Sequence, residues 1–353
     1  MGDVDHRNEV GGGAADGAVG SPFDNASVAA RLGGETFTTQ VGDLVFDGFR
    51  VSGADAGAEV TGTSGAGAAA GDESETSGTE PATASGAGES ATADGSRPVA
   101  VLVHGWPQFA ACWEDTARAL VDAGIDVIAY DQRGYSPGAR PGEVEDYTVE
   151  RLVADLHALV RAWGLTRFHL VGHDWGGVLG WQYAAQHPED LVTFTSVSSA
   201  HTLAHGRRMK EDPDQYERMH YMRQIRKDPA GVEARMLADG GRRLAAIYGD
   251  AVSPERVQSY VDRFSEPGVL AAALAYYRAL GLGHTPQLDP ITVPTLYVWG
   301  SEDLAFSRGA AELTGDYVEA DYRFVEIPGA SHWLPEQEPG VVSGAVIDWI
   351  REH

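Results

Sequence analysis

The sequence predicts an α/β fold: a mostly parallel central sheet with helices on both faces and an inserted helical cap. Three observations predict it. Short β-rich runs alternate with stretches of helical spacing, the pattern of a parallel sheet wrapped by crossover helices. Between Ser199 and Pro290 the strand signals stop and helical spacing takes over. The segment FHLVGHDWGG, residues 168–177, reads as a buried strand, a sharp turn and a helix opening on two glycines.

Taken in order, residues 1–34 are rich in Gly, Ala and Asp, the composition of a disordered acidic tail. Phe37–Val41 and Leu44–Val51 are β-rich runs joined at Gly42-Asp43, a hairpin-like start to the sheet. Residues 54–97 are Gly, Ala, Ser and Thr with eight acids and one base, Arg97. They lack periodicity, so a disordered acidic loop inserted between two strands is expected. Order resumes with the strand PVAVLVHG from Pro98. A helix over Cys112–Ala123, a strand over 126–131 and a helix over Thr148–Trp163 follow. Then come the strand FHLVGH (168–173), a helix over Gly177–His187 and a strand over Leu191–Ser196. TLYVWG (295–300) and RFVEI (323–327) are the later strands, and Gly340–Arg351 is the closing helix. The expected organisation is a tail (1–34), a first core segment (35–199), a helical cap (200–290) and a second core segment (291–353).

Composition narrows the classes. A hydrophobic content of 43% with eight Trp is ample for a core. The formal net charge is −26, and Lys210 and Lys227 are the only lysines. So acidic a surface repels itself at low salt. At molar salt the Debye length falls to about 3 Å and the repulsion is screened. That charge predicts a salt-adapted protein, and it makes nucleic acid and anionic membranes poor partners. Cys112 is the single cysteine, so an internal disulfide or a multi-cysteine zinc site is excluded. Its neighbours Ala111 and Trp113 predict a buried thiol. The N-terminus lacks a basic n-region and an apolar h-region. No run reaches the roughly 18 apolar residues of a membrane span. A soluble, cytoplasmic protein is expected, without membrane or nucleic-acid partners.

Gly172-His173-Asp174-Trp175-Gly176 has the G-x-nucleophile-x-G form of a turn that strains one residue and exposes its side chain above a parallel sheet. Hydrolases usually carry serine there; this chain carries Asp174. A carboxylate attacks carbon and forms an alkyl ester, which moves the chemistry from acyl transfer towards breaking a C–O or C–halogen bond.

Four motifs at strand ends extend the pattern: HGWPQ (104–108), DQRGYS (131–136), GHDWGG (172–177), and WGSED (299–303) with GASHW (329–333). In these the chain resembles the α/β-hydrolase superfamily, and within it the epoxide hydrolase / haloalkane dehalogenase branch, over roughly 36–53 and 98–352. The resemblance implies the α/β-hydrolase fold and a chain order of nucleophile, acid and histidine. That order falls on Asp174, Asp303 and His332, with Glu302 the alternative acid. It implies oxyanion donors in the backbone N–H groups of Trp106 and Trp175. His104 becomes a supporting hydrogen bonder, and Asp131–Gly134 a loop-structuring turn. Two cap tyrosines are implied as donors to an epoxide oxygen. LAYYRAL (274–280) offers Tyr277, with Ala275 and Tyr276 where the family has Asn and Trp. HYMRQIRKDPAG (220–231) offers Tyr221, with Tyr216 as alternative.

The implied function is hydrolysis of an epoxide to a diol through an Asp174 ester, without metal or organic cofactor. The aromatic-rich cap fits a small hydrophobic or amphipathic substrate. The rival is haloalkane or haloacid dehalogenation with the same triad. Trp175 stands where haloalkane dehalogenases carry a halide-binding indole, whereas HGWP is more like the epoxide hydrolases. Fluoroacetate-type dehalogenases share HGxPQ but carry arginine in the place of Trp175. A third possibility is a non-catalytic ligand-binding protein on the same scaffold.

Overall fold

The computed structural model describes residues 21–53, 97–282 and 289–353. Eight strands form one sheet: β1 (Glu35–Val41), β2 (Leu44–Val51), β3 (Val99–Val103), β4 (Asp126–Tyr130), β5 (Phe168–His173), β6 (Leu191–Val197), β7 (Thr295–Gly300) and β8 (Tyr322–Ile327). Their spatial order is β1-β2-β4-β3-β5-β6-β7-β8. β1 and β2 form the expected hairpin, with Val41 opposite Leu44 and Gly42 at φ 58°. β2 runs antiparallel to β4, and every pairing from β4 to β8 is parallel. All six residues of β5 and of β7 are buried, which explains why these strands read as continuous apolar runs rather than alternating ones.

The helices of the first half are α1 (Asn25–Leu32), α2 (Glu114–Asp122), α3 (Val149–Ala162) and α4 (Trp175–Gln186). Between β6 and β7 lie α5 (Thr202–Glu211), α6 (Pro213–Arg218), α7 (His220–Lys227), α8 (Pro229–Ala245), α9 (Pro254–Phe264) and α10 (Val269–Ala279). The short α11 (Arg308–Leu313) and α12 (Leu334–Gln337) precede the closing α13 (Pro339–Glu352). α2 packs on α1 and α13, and α3 packs on α4. α8 is two pieces: Ala238–Gly241 leave helical geometry, three of them with positive φ.

The expected tail over 1–34 is corrected at its end, because residues 25–32 are helical. Asp24 caps α1 by accepting from the Ser27 N–H at 2.7 Å, and Gly33 closes it at φ 70°. Val28 and Ala29 are buried, and Arg31 pairs with Glu114 at 2.6 Å. The cap and stop signals stand in the sequence, but eight residues with two core contacts give little periodicity. Residues 1–20, all but Arg97 of the 54–97 loop, and residues 283–288 lie outside the described residues.

β4 lies on one side of β3 and β5 on the other, so the chain reverses direction across the sheet at the ends of β3 and β5. Such a switch point opens a crevice beyond the carboxyl ends of the strands. The loops after β3, β5, β7 and β8 carry Trp106, Asp174, Asp303 and His332.

Candidate active site

Asp174 joins β5 to α4 with φ 51° and ψ −114°. A non-glycine residue there carries strain of about 1–3 kcal/mol and persists only where its surroundings hold it. Here its N–H donates to the Val197 carbonyl at 3.2 Å, and its carbonyl accepts from Val178 at 2.9 Å. The turn lifts the carboxylate towards the loop after β3. A Cβ on Gly105 would run into the Asp174 Cβ and Oδ1, so only glycine permits this approach. The Trp106 N–H then donates to Asp174 Oδ1 at 2.7 Å. Trp175, the first residue of α4, has by position no acceptor for its N–H within the helix.

His332 lies between two carboxylates. Its Nε2 is 3.4 Å from Asp174 Oδ2, and its Nδ1 is 3.0 Å from Asp303 Oδ2. Asp303, and not Glu302, is therefore the acid facing the ring. Asp303 is itself fixed, because Oδ1 accepts from the N–H groups of Ala305 at 2.7 Å and Phe306 at 3.0 Å. Burial opposes a charge on His332, but Asp303 and Asp174 outweigh it and push the imidazole up to about 10. The two carboxylates thus favour the protonated ring over the neutral one.

Tyr221, on α7, and Tyr277, on α10, face this group from the helices between β6 and β7. Their rings are 5.6 Å apart at 79°. Tyr221 stacks on Trp106 at 6.4 Å, and Tyr277 meets Trp175 edge-on at 5.2 Å. Burial, then the charge of Asp174, raises the Tyr221 phenol above its ordinary value. Burial, then Tyr221 and Asp174, does the same for Tyr277. Both phenols are therefore kept protonated as donors. Tyr216 points elsewhere: it is 49% exposed, with the Arg223 guanidinium 4.0 Å from its ring centre. Tyr276 is committed to the Arg133 carbonyl at 2.6 Å.

Asp174, His332, Trp106, Tyr221 and Tyr277 line one cavity of about 810 Å³. That lies within the usual small-ligand range of about 300–1,000 Å³. All five named side chains, with Asp303 behind His332, are thus brought together, and Trp175 packs against Tyr277.

Supporting groups behave as the sequence predicts. His104 accepts from the Gln132 N–H at Nε2 (3.1 Å), its Nδ1 faces the Gly105 carbonyl at 3.0 Å, and burial pushes it down to about 4. Asp131 accepts from Ala110, Asn25 and Arg263, tying the loop after β4 to α1 and α9. Cys112 is buried.

Two features escaped sequence reasoning. His173, the residue before Asp174, donates from Nε2 to the His332 carbonyl at 2.9 Å. Its place inside the G-x-Asp motif was a signal for it. Glu336, on α12, accepts from Gln108 and from the Tyr260 hydroxyl at 2.7 Å, with Arg256 at 3.5 Å. It joins the HGWPQ loop to α9 and to the segment after His332. Burial raises its carboxyl to about 7 against the pull of Arg256. Among the described residues the one group with metal-ligand geometry is His157, His187 and Asp190. None of these lines the cavity, and Asp190 is already engaged by Arg161 and the Tyr183 hydroxyl.

With the geometry in hand, comparison with known proteins is direct. The description of the alpha/beta hydrolase fold family matches residues 98–339. The chain belongs to the α/β-hydrolase family. Within that family it is an epoxide hydrolase-like enzyme. It is 32% identical over 274 residues to epoxide hydrolase 3 of Xenopus tropicalis, covering 74% of this chain and 74% of that one. It is 30% identical over 297 residues to epoxide hydrolase A of Mycobacterium tuberculosis, covering 72% and 90%. A solved epoxide hydrolase from metagenomes of hot environments superposes with a TM-score of 0.69 at 23% identity, covering 90% of this α/β-hydrolase and 99% of that chain. No helix among the described residues is long and apolar enough to cross a membrane.

Proposed function

We propose that this enzyme opens an epoxide to a diol through an alkyl ester on Asp174. The observation that carries the reading is a carboxylate and two neutral phenols lining one cavity, with an imidazole held behind the carboxylate. Oδ1 of Asp174 is engaged by the Trp106 N–H, so Oδ2 attacks a ring carbon. The C–O bond breaks as a phenol of Tyr221 or Tyr277 donates its proton to the leaving oxygen. Esterification removes the Asp174 charge, and with it one of the two charges that hold His332 protonated. The imidazole then gives up its proton to the phenolate left by the first step, and the neutral ring becomes a base, oriented by Asp303. It takes a proton from water as the oxygen attacks the Asp174 carbonyl carbon. The N–H groups of Trp106 and Trp175 receive the oxyanion, where such a donor is worth about 3 kcal/mol. The ester C–O bond breaks, the departing alkoxide takes the proton of the newly formed Asp174 carboxylic acid, the diol leaves with His332 protonated again, and the water oxygen stays on Asp174.

A second reading is hydrolytic dehalogenation by the same carboxylate. One observation favours it: the buried indole N–H of Trp106 has no partner among the described residues, as a halide site would require. The paired phenols favour the epoxide, because an alkoxide needs a proton and a halide does not.

A single turnover in heavy-oxygen water tests the ester. The label is expected in the Asp174 carboxylate by peptide mass spectrometry, with an unlabelled diol. A diol labelled on its first turnover overturns the ester route. Halide release from chloroalkanes without diol from epoxides selects the second reading.

A further inference from the structure

The ionic side chains around the cavity run against the composition of the chain. The whole sequence holds 52 acids to 26 bases. Apart from Asp174 and His332, the charged side chains lining the cavity are Lys227, Arg235 and Arg243 against Asp228 alone. Asp228 is already spent within the protein, pairing with Arg235 at 3.0 Å and capping the Gly231 N–H at 3.0 Å. Lys227 and Arg243 are exposed and have no ion-pair partner among the described residues. One of the two lysines of the chain therefore lines the exposed part of this cavity, together with an unmatched arginine.

The backbone brings Arg243 there by a costly route. α8 breaks at Ala238–Gly241, with Asp239, Gly240 and Gly241 at φ 52°, 67° and 78°. A Cβ on Gly241 would run into Val261 of α9, so glycine lets the second piece of α8 lie against α9. Arg242 turns back to Asp239 at 3.8 Å, while Arg243 faces the cavity. The same lining includes the apolar side chains of Ile225, Val232, Met236 and Ile247. The cavity thus combines buried reactive groups, apolar side chains and exposed positive charge.

We propose that Lys227 and Arg243 form an anion subsite that selects amphipathic substrates carrying a carboxylate at the end remote from the reacting carbon. As a statement about epoxides this rests on the proposed function above; as a binding subsite it does not. The local positive charge also offsets the long-range repulsion that a chain of net charge −26 exerts on an anion.

Binding and turnover separate the two readings. Decanoate and the uncharged decanamide are titrated by calorimetry into the full chain, at the lowest salt that retains the native circular dichroism. Decanoate is expected to bind about fivefold tighter, the scale of two exposed ion pairs. The preference should vanish in the Lys227→Gln/Arg243→Gln double variant, and persist in Arg226→Gln, an exposed cation off the cavity. It should also shrink at 1 M KCl, where the Debye length is about 3 Å. Equal binding of the two ligands by the wild type, or a preference untouched in the double variant, overturns the subsite. Wild-type hydrolysis of styrene oxide, which carries no charge, reports on the epoxide reading alone. A decanoate preference without diol from styrene oxide keeps the subsite and removes that reading.

Discussion

The two walls of the cavity are built by different means. On the sheet side each functional atom is tied to backbone. The Trp106 N–H holds Asp174, the N–H groups of Ala305 and Phe306 hold Asp303, and His173 holds the carbonyl of His332. On the side of α7 and α10, Tyr221 and Tyr277 are placed by aromatic packing against Trp106, Trp175 and one another. Contacts to backbone survive substitution of neighbouring side chains. Ring packing tolerates displacement, so that wall is free to vary with substrate.

Breaking the sheet-side wall has the largest expected effect. His332→Gln removes the base and the charge between Asp174 and Asp303. A general base contributes about 10²–10⁴ in rate, so kcat should fall by roughly 10³. Because alkylation needs no base, the ester should accumulate, visible as intact protein heavier by one substrate mass. Loss of activity without that adduct would show that His332 serves the first step. Wild-type pH profiles sharpen the same point. His332 is raised to about 10 by two carboxylates, of which the ester keeps one. The rising limb of kcat that reports the neutral imidazole should therefore lie below about 10.

Asp174 was legible in the sequence because its cause is local, whereas Asp303, His332 and the oxyanion donors of this wall came through the resemblance. Gly105, the G-x-Asp-x-G turn and the strands before each loop all act within a few residues of the atom they position. The structure bears directly on the choice of Asp303 over Glu302 through the Nδ1 contact. α1 was missed because its burial depends on partners far along the chain, Glu114 among them. Glu336 was missed for the same reason: Gln108 lies 228 positions away, and no spacing rule connects them. The two tyrosines were reached through resemblance, since helical periodicity alone cannot separate Tyr277, free to face the cavity, from Tyr276, spent on the Arg133 carbonyl.

The α7–α10 wall should respond unequally to loss of its two hydroxyls. Tyr277 is 2% exposed, whereas Tyr221 is half-buried. The hydroxyls of both are enclosed, but the less tightly packed Tyr221 leaves more room for a water in place of the lost donor. Tyr277→Phe should lower kcat/KM for an epoxide about 100-fold. Tyr221→Phe should lower it about tenfold. The reverse ranking, measured on one substrate, would mean that Tyr221 protonates the oxygen and Tyr277 only packs. Equal and small losses for both would break the contrast between walls and favour the halide reading.

The smallest effect is on stability, at the joint between the walls. Glu336 links the HGWPQ loop of the sheet side to Tyr260 and Arg256 of α9. Its carboxyl is raised from 4.5 to about 7, mainly by burial. Between those values the folded protein holds a proton that the unfolded chain has released. The stabilisation is therefore complete below pH 4.5 and is lost as pH rises through about 7. Glu336→Gln cannot titrate, so its stability should lack this fall. From pH 5 to pH 8 the difference between wild type and variant in urea unfolding should move by on the order of 2 kcal/mol against the wild type. The same salt concentration at both values keeps the general acidic repulsion out of the comparison. A difference that is equal at the two pH values would mean that Arg256 holds Glu336 ionised throughout, and that the joint is a permanent ion pair.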